Sequence, residues 1–125
     1  MDFVKNKEVT LLVRKIVSAL NLSYIKSDQI ICFKSFRSSS RATARIWSLP
    51  RIWQIALKQK PYYCLEVLSE KFDNLNDEEK EKVIIHELLH IPKNFSGALL
   101  SHNHNGRRIN RRVVEEIHKR YRNLK

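Results

Sequence analysis

The chain has 125 residues, 42% of them hydrophobic and 30% charged, which is typical of a folded globular protein and excludes a disordered one. The length predicts one domain spanning residues 1–125. Two glycines are too few for a glycine-rich nucleotide-binding loop, and no apolar run is long enough to cross a bilayer. The N-terminus is too polar for a signal peptide, so we expect a cytoplasmic protein with no membrane partner and with Cys32 and Cys64 reduced.

The net charge of +11 arises from 24 basic and 13 acidic residues that are unevenly distributed. No acidic residue lies between Asp28 and Glu66, although seven basic residues do, and eight more basic residues follow Gly106. A positive field of this size attracts polyanions, so one hypothesis is a nucleic acid partner bound through the basic surface. The alternative is that the charge serves only solubility.

The first half of the chain predicts one helix and two strands. Apolar residues recur at helical spacing over residues 7–20, which indicates an amphipathic helix that covers a sheet. Residues Ile30–Phe36 are rich in β-branched and aromatic side chains and predict a strand. A polar turn and a second strand over residues 43–47 follow, so the two strands are expected to form a hairpin. Residues 51–58 fit either a short helix or an irregular crossover.

The second half predicts a strand, two helices and a loop. Residues 62–68 read as a third strand, and Asn76 is a good N-cap for a helix that continues through His90 until Pro92 stops it. Residues 95–106 are expected to be a loop, and Asn110 can cap a final helix. The fold class expected is therefore α+β, with an N-terminal helix, a small sheet of three to four strands and a C-terminal helix.

An HExxH motif lies on the capped helix, as His86-Glu87-Leu88-Leu89-His90. Residues four apart share a helix face, so two imidazoles at this spacing can converge on one Zn²⁺. Glu87 is placed to act as general base on a water that the ion activates. The alternative is a solvated helix that happens to carry two histidines, but the apolar Leu88 and Leu89 argue against it.

The third metal ligand has several candidates. His102 and His104 both lie in the expected loop before the last helix. A glutamate of the last helix, Glu115 or Glu116, is a further alternative, although both also fit as partners of the helix dipole. His118 is expected to lie on the basic surface of that helix.

The sequence resembles the small phage and archaeal metallopeptidases, a zincin-like family related to the SprT-like and minimal zincin metalloproteases. The resemblance rests on ARIW with LP at residues 44–50, on VIIHELLHIPK at 83–93 and on FSGAL at 95–99, followed by a histidine. It implies a zincin-like domain that hydrolyses peptide bonds in a peptide or protein substrate, with zinc bound by His86 and His90 and with Glu87 as base. The family's third histidine follows the Gly-x-Leu segment directly, which favours His102, whereas counting back from the last helix favours His104.

The resemblance also gives the strand at residues 43–47 a role beside the cleft, where substrate would add to it as an extended strand. The donor that stabilises the oxyanion is open among Tyr62, Tyr63, Tyr121 and the arginines. Two other hypotheses remain: a nucleic-acid-associated module in which zinc is structural or absent, and an inactive protease-like binding protein. No oligomeric state is predicted.

Overall fold

A computed structural model describes residues 2–104 and 106–124 as an α+β fold, which confirms the predicted class. The elements over these residues are β1 (Asp2–Lys5), α1 (Lys7–Ala19), a short 3₁₀ turn (Ser27–Gln29), β2 (Ile30–Phe36), β3 (Ala44–Ser48), α2 (Arg51–Leu57), β4 (Tyr63–Leu68), α3 (Ser69–Phe72), α4 (Asp77–Leu88), β5 (Asn103–His104), β6 (Arg107–Arg108) and α5 (Arg111–Leu124).

The main sheet has the strand order β1-β2-β4-β3, with β2 and β4 parallel and the other two pairs antiparallel. The predicted hairpin between β2 and β3 is therefore wrong, because β4 lies between them. β4 takes the centre because its side chains are almost all buried on both faces, with Leu65 and Val67 fully so. β3 is left as an edge strand, and among the described residues no strand pairs with its outer edge.

The N-terminal strand β1 carries no sequence pattern of its own. All four of its residues are exposed, and it is held by antiparallel pairing with β2, in which Phe3 lies opposite Ser35. Asn6 ends the strand with a backbone hydrogen bond to the Cys32 carbonyl. Its side-chain oxygen then accepts a hydrogen bond from the Val9 amide at 2.8 Å and so caps α1.

The hydrophobic core lies between one face of the sheet and helices α1, α4 and α5. Its most buried members include Ile16 on α1, Leu65 on β4, Ile84 on α4 and Tyr121 on α5. Cys32 belongs to this core, and its burial raises the pKa of the thiol to about 11. Cys32 and Cys64 are free cysteines.

His118 is buried, so the expectation that it lies on the surface is wrong. It shares one stripe of α5 with Val114 and Tyr121, at the spacing i, i+4 and i+7. Its Nε2 atom lies 2.8 Å from a carboxylate oxygen of Glu81, which is buried on α4. A polar side chain enters a core at low cost only with such a partner, and this pair joins the two helices.

A buried carboxylate fixes the edge strand β3 to the sheet. Glu66 on β4 is 1% exposed and accepts hydrogen bonds from Ser35 Oγ at 2.5 Å, from Trp47 Nε1 at 2.9 Å and from two guanidinium nitrogens of Arg45 at 3.1 and 3.2 Å. Burial alone would raise the pKa of Glu66, but these hydrogen bonds and the Arg45 charge outweigh it and lower the pKa below its usual value. The carboxylate is thus ionised and binds side chains of both flanking strands.

We predict that Glu66→Gln destabilises the protein by about 1–3 kcal/mol at pH 7, because an amide cannot satisfy the same set of donors. The native pKa of Glu66 is lowered, so its contribution is complete above the unfolded-state value of about 4.3 and is lost as the pH falls through the native value. Urea unfolding should therefore show a gap between wild type and variant that is full at pH 7 and narrows at acid pH. Glu116→Gln, at an exposed ion pair, is the control, and an equal effect of both variants would contradict the prediction.

Candidate metal centre

Helix α4 begins as the sequence predicts. Asn76 accepts a hydrogen bond from the Glu79 amide at 2.9 Å through its side-chain oxygen. The helix buries Ile84 and Leu88 in the core. His86 and Glu87 therefore lie on the side of the helix that faces a cleft.

The regular helix ends at Leu88, two residues earlier than predicted. The chain then tightens, since the His90 amide donates to the Glu87 carbonyl three residues back, at 3.1 Å. Pro92 explains this ending, because proline disfavours helical backbone in the residue before it. His90 still stands beside His86, with ring centroids 5.3 Å apart.

His90 and Leu100 are joined by two hydrogen bonds. The Leu100 amide donates to the His90 carbonyl at 2.7 Å, and the imidazole Nδ1 lies 2.6 Å from the Leu100 carbonyl. A carbonyl can only accept, so Nδ1 carries the proton and Nε2 is left with its lone pair free. A hydrogen bond of this kind fixes the tautomer and orientation of metal-binding histidines.

The backbone of His102 is held by the segment that follows it in the chain. The Ile109 amide donates to the His102 carbonyl at 2.7 Å, and the Ile109 side chain is buried. Between these residues, β5 and β6 form a two-stranded ribbon in which Asn103 lies opposite Arg108. The expected loop over residues 95–106 therefore contains β5.

The structure brings His86, His90 and His102 together. One ring nitrogen from each lies within 4.8 Å of the other two, and the Nε2 atoms of His86 and His102 are 3.2 Å apart. Two nitrogens that bind one tetrahedral Zn²⁺ at about 2.0–2.1 Å are about 3.3 Å apart, so the spacing fits a shared ion. The His90 and His102 rings lie nearly perpendicular, at 83° with centroids 4.6 Å apart, so they are not stacked face to face.

The other candidate ligands are outside this cluster. His104 Nδ1 lies 3.0 Å from the Ser101 carbonyl and so donates a hydrogen bond within its own loop. Glu115 and Glu116 each pair with the arginine four residues earlier on α5. Within the described part of the chain, the three histidines are the group of side chains able to hold a metal.

The surroundings favour neutral imidazoles and a basic carboxylate. Burial lowers the pKa of His86, and the neighbouring His90 and His102 lower it further. Burial also lowers the pKa of His90, by more than its hydrogen bond to Leu100 raises it. His86 and His90 are therefore favoured in the neutral form, which is the form that binds metal. Burial raises the pKa of Glu87 to about 7, which suits a group that must take up and release a proton.

The three histidines open onto a cleft of about 510 Å³. Its walls are residues 44–47 of β3 and residues 99–102, with Glu87 between them. Successive residues of a strand point to opposite faces, so four consecutive lining residues mean that the cleft runs along the strand edge. A second cleft of about 640 Å³ shares Ala44, His86 and Glu87 with the first and continues towards α5.

Three of the oxyanion donors considered above have structural roles instead. Tyr63 is 1% exposed, and its hydroxyl accepts from the Gly97 amide at 2.9 Å and donates to the Ala98 carbonyl at 2.8 Å. Tyr121 is fully buried in the core. Arg45 lines the cleft but is bound by the Glu66 carboxylate.

Sequence reasoning missed Gln54, which joins the segment just after β3 to the segment that precedes the opposite wall of the cleft. This buried side chain of α2 donates to the carbonyls of Leu49 and Ser96, each at 2.8 Å. Gly97 permits the contact, because a Cβ there would lie 2.2 Å from Gln54 Nε2 and the backbone φ is +91°. A buried glutamine among exposed apolar residues breaks helical periodicity, so no pattern marked it.

Much of the positive charge of α5 is locally balanced. Three of its arginines contact carboxylates, in the pairs Arg111–Glu115, Arg112–Glu116 and Arg122–Glu78.

No helix formed by residues 2–104 and 106–124 has the length and apolar character needed to cross a membrane.

Comparison with known proteins identifies a family. A family model described as "Putative phage metallopeptidase" matches residues 1–125, the whole chain. Searches of curated proteins and of solved structures found no significant match. The family is one of metallopeptidases, and such enzymes act on peptides or proteins. On this match over its full length, the chain belongs to the phage metallopeptidase family.

Proposed function

We propose that this protein is a zinc-dependent peptidase in which His86, His90 and His102 bind the ion and Glu87 is the general base. The observation that carries the proposal is the convergence of three imidazole nitrogens beside Glu87, in a cleft bounded by the edge of β3. A catalytic zinc site has three protein ligands and one open position, and three imidazoles are a donor set that suits zinc.

Each residue has a defined part in the reaction. When bound, the ion supplies a Lewis acid that polarises the scissile carbonyl and makes water more acidic. The Glu87 carboxylate accepts a proton from the attacking water and later delivers it to the nitrogen of the leaving amine. Partial burial raises its pKa to about 7, so the carboxylate is a stronger base than an exposed glutamate. The Leu100 carbonyl keeps the His90 proton on Nδ1 and so directs Nε2 to the ion.

The substrate binds as an additional strand on β3. The sheet leaves one edge of β3 free, and residues 44–47 form a wall of the cleft beside Glu87. An extended peptide at this edge forms main-chain hydrogen bonds that do not depend on its sequence. Glu66 holds β3 rigid from the opposite edge, through Arg45 and Trp47.

Metal binding distinguishes the two candidate third ligands. We predict that His102→Ala lowers zinc affinity by more than the roughly 10- to 100-fold typical of losing an outer-shell partner, because it removes a direct ligand. His104→Ala, two residues away in the same loop, is the matched control and should bind zinc as wild type does. Competitive titration with a zinc indicator measures both affinities, and loss of zinc only in His104→Ala would refute the ligand assignment.

Hydrolysis depends on the base and not only on the ion. We predict that Glu87→Gln retains zinc but cleaves an unfolded protein substrate about 100- to 10,000-fold more slowly, since the amide cannot accept the proton. Zinc content and turnover are measured on the same preparation, with circular dichroism to verify the fold. Equal turnover by wild type and variant would exclude this mechanism.

If the substrate pairs with β3, the affinity of a peptide should depend periodically on which of its backbone amides is removed. N-methylation removes one donor at a time, and alternate residues of a strand direct their amides to the same side. Methylation along a bound peptide should therefore weaken affinity about threefold to tenfold at every second position near the cleft, and much less between. Binding to the Glu87→Gln protein measures this without turnover, and a pattern without the two-residue period would argue against strand addition.

A further inference from the structure

Helix α2 exposes an unusual amount of apolar surface. Ile52 is 74% exposed, Ile55 64%, Trp53 55% and Leu57 54%, all on a helix of seven residues. Gln54 is the buried residue of this helix. Large apolar residues that are exposed together, rather than scattered singly, mark a surface that binds another molecule.

This helix stands at one end of the cleft. β3 leads through Leu49 and Pro50 directly into α2, and Gln54 bonds the Leu49 carbonyl on that side. The same side chain donates a hydrogen bond to the carbonyl of Ser96, which precedes the opposite wall, residues 99–102, in the chain. A chain that follows the edge of β3 past Ser48 therefore reaches α2.

The charged residues of α2 and of the sequence on either side of it are all basic. Arg51 is exposed at its start, Lys58 and Lys60 are exposed just after its end, and the sequence contains no acidic residue from 29 to 65. A second copy of this basic protein would bring like charges together at α2. A phosphate backbone would match the charge but would leave Ile52 and Ile55 without an apolar partner.

We infer that α2 is an exosite that selects polypeptide substrates, by binding segments that combine apolar and acidic residues next to the cleaved stretch. This inference rests on the proposed peptidase function and names the substrate class of the same site. Apolar side chains of the substrate cover Ile52 and Ile55, and its carboxylates lie near Lys58 and Lys60. Unfolded protein chains present such segments, whereas folded proteins bury them.

Peptides of two lengths test the exosite. The long peptide has about 16 residues, roughly 50 Å when extended, and joins a sequence for the cleft to an apolar and acidic segment. The short peptide contains only the sequence for the cleft. Two further long peptides replace the acids by lysine or the apolar residues by serine. Fluorescence anisotropy with the full-length Glu87→Gln protein, loaded with zinc, measures binding without turnover.

Two variants, called the α2 variants, change α2 or the basic residues just after it, and a third is their control. Ile52→Ser with Ile55→Ser, and Lys58→Gln with Lys60→Gln, alter exposed side chains. The control is Leu11→Ser with Lys15→Gln, at exposed positions of α1. We expect each α2 variant to lower the ratio of long-peptide to short-peptide affinity about tenfold, and the control variant to leave it unchanged. The two long peptides with lysine or serine replacements should bind the protein with unaltered α2 about tenfold more weakly than the original long peptide does.

Three results would overturn the exosite. One is an unchanged affinity ratio in both α2 variants. The second is that the α2 variants lose binding to phosphatidylglycerol vesicles but keep their binding to the long peptide, which would assign α2 to a lipid surface. The third is a dimer in wild type that the α2 variants dissociate, seen by light scattering. If the wild-type protein with zinc cleaves no peptide, the proposed peptidase function is wrong, whereas the binding result is unaffected. If the α2 variants bind both peptides as the control variant does, only the exosite is wrong.

Discussion

The reciprocal pair between His90 and Leu100 organises the candidate metal centre. His90, two residues past the end of α4, accepts a backbone hydrogen bond through its carbonyl and donates one through its ring. The first bond brings the segment of His102 to the helix, and the second selects the ring nitrogen that faces the other two histidines. Without this pair, the HExxH motif would still present two imidazoles, but the segment of His102 would be held only from its C-terminal side, by the Ile109 amide.

Polar side chains in buried positions support the cleft on its other sides. Glu66 binds Arg45 and Trp47 of β3, and Gln54 joins the end of that strand to the loop opposite. A hydrophobic core cannot shape the rim of an open cleft, because apolar contacts are not directional. Hydrogen bonds that are shielded from water are directional, and they are costly to break when a partner would be left buried and unpaired.

Local features were predictable from sequence, whereas contacts between distant segments were not. The caps at Asn76 and Asn110 and the pairing of His86 with His90 depend on residues three or four apart, so a pattern reveals them. The order of the strands depends on which strand buries both faces, and the buried His118 depends on Glu81 of another helix. His102 could be named with His104 as a candidate from its place in the chain, and the resemblance favoured it, but its place beside His86 depends on the hydrogen bond between Leu100, two residues earlier, and His90.

The two glycines of this chain face opposite evolutionary constraints. Gly106 has open space where a side chain would begin, so only its backbone angle restricts replacement. At Gly97 a single methyl group would collide with Gln54 and with the Leu49 carbonyl, which would be 2.5 Å away. Descendants that keep this architecture can therefore drift at position 106 towards residues tolerant of left-handed backbone, such as asparagine, while position 97 stays closed to every side chain.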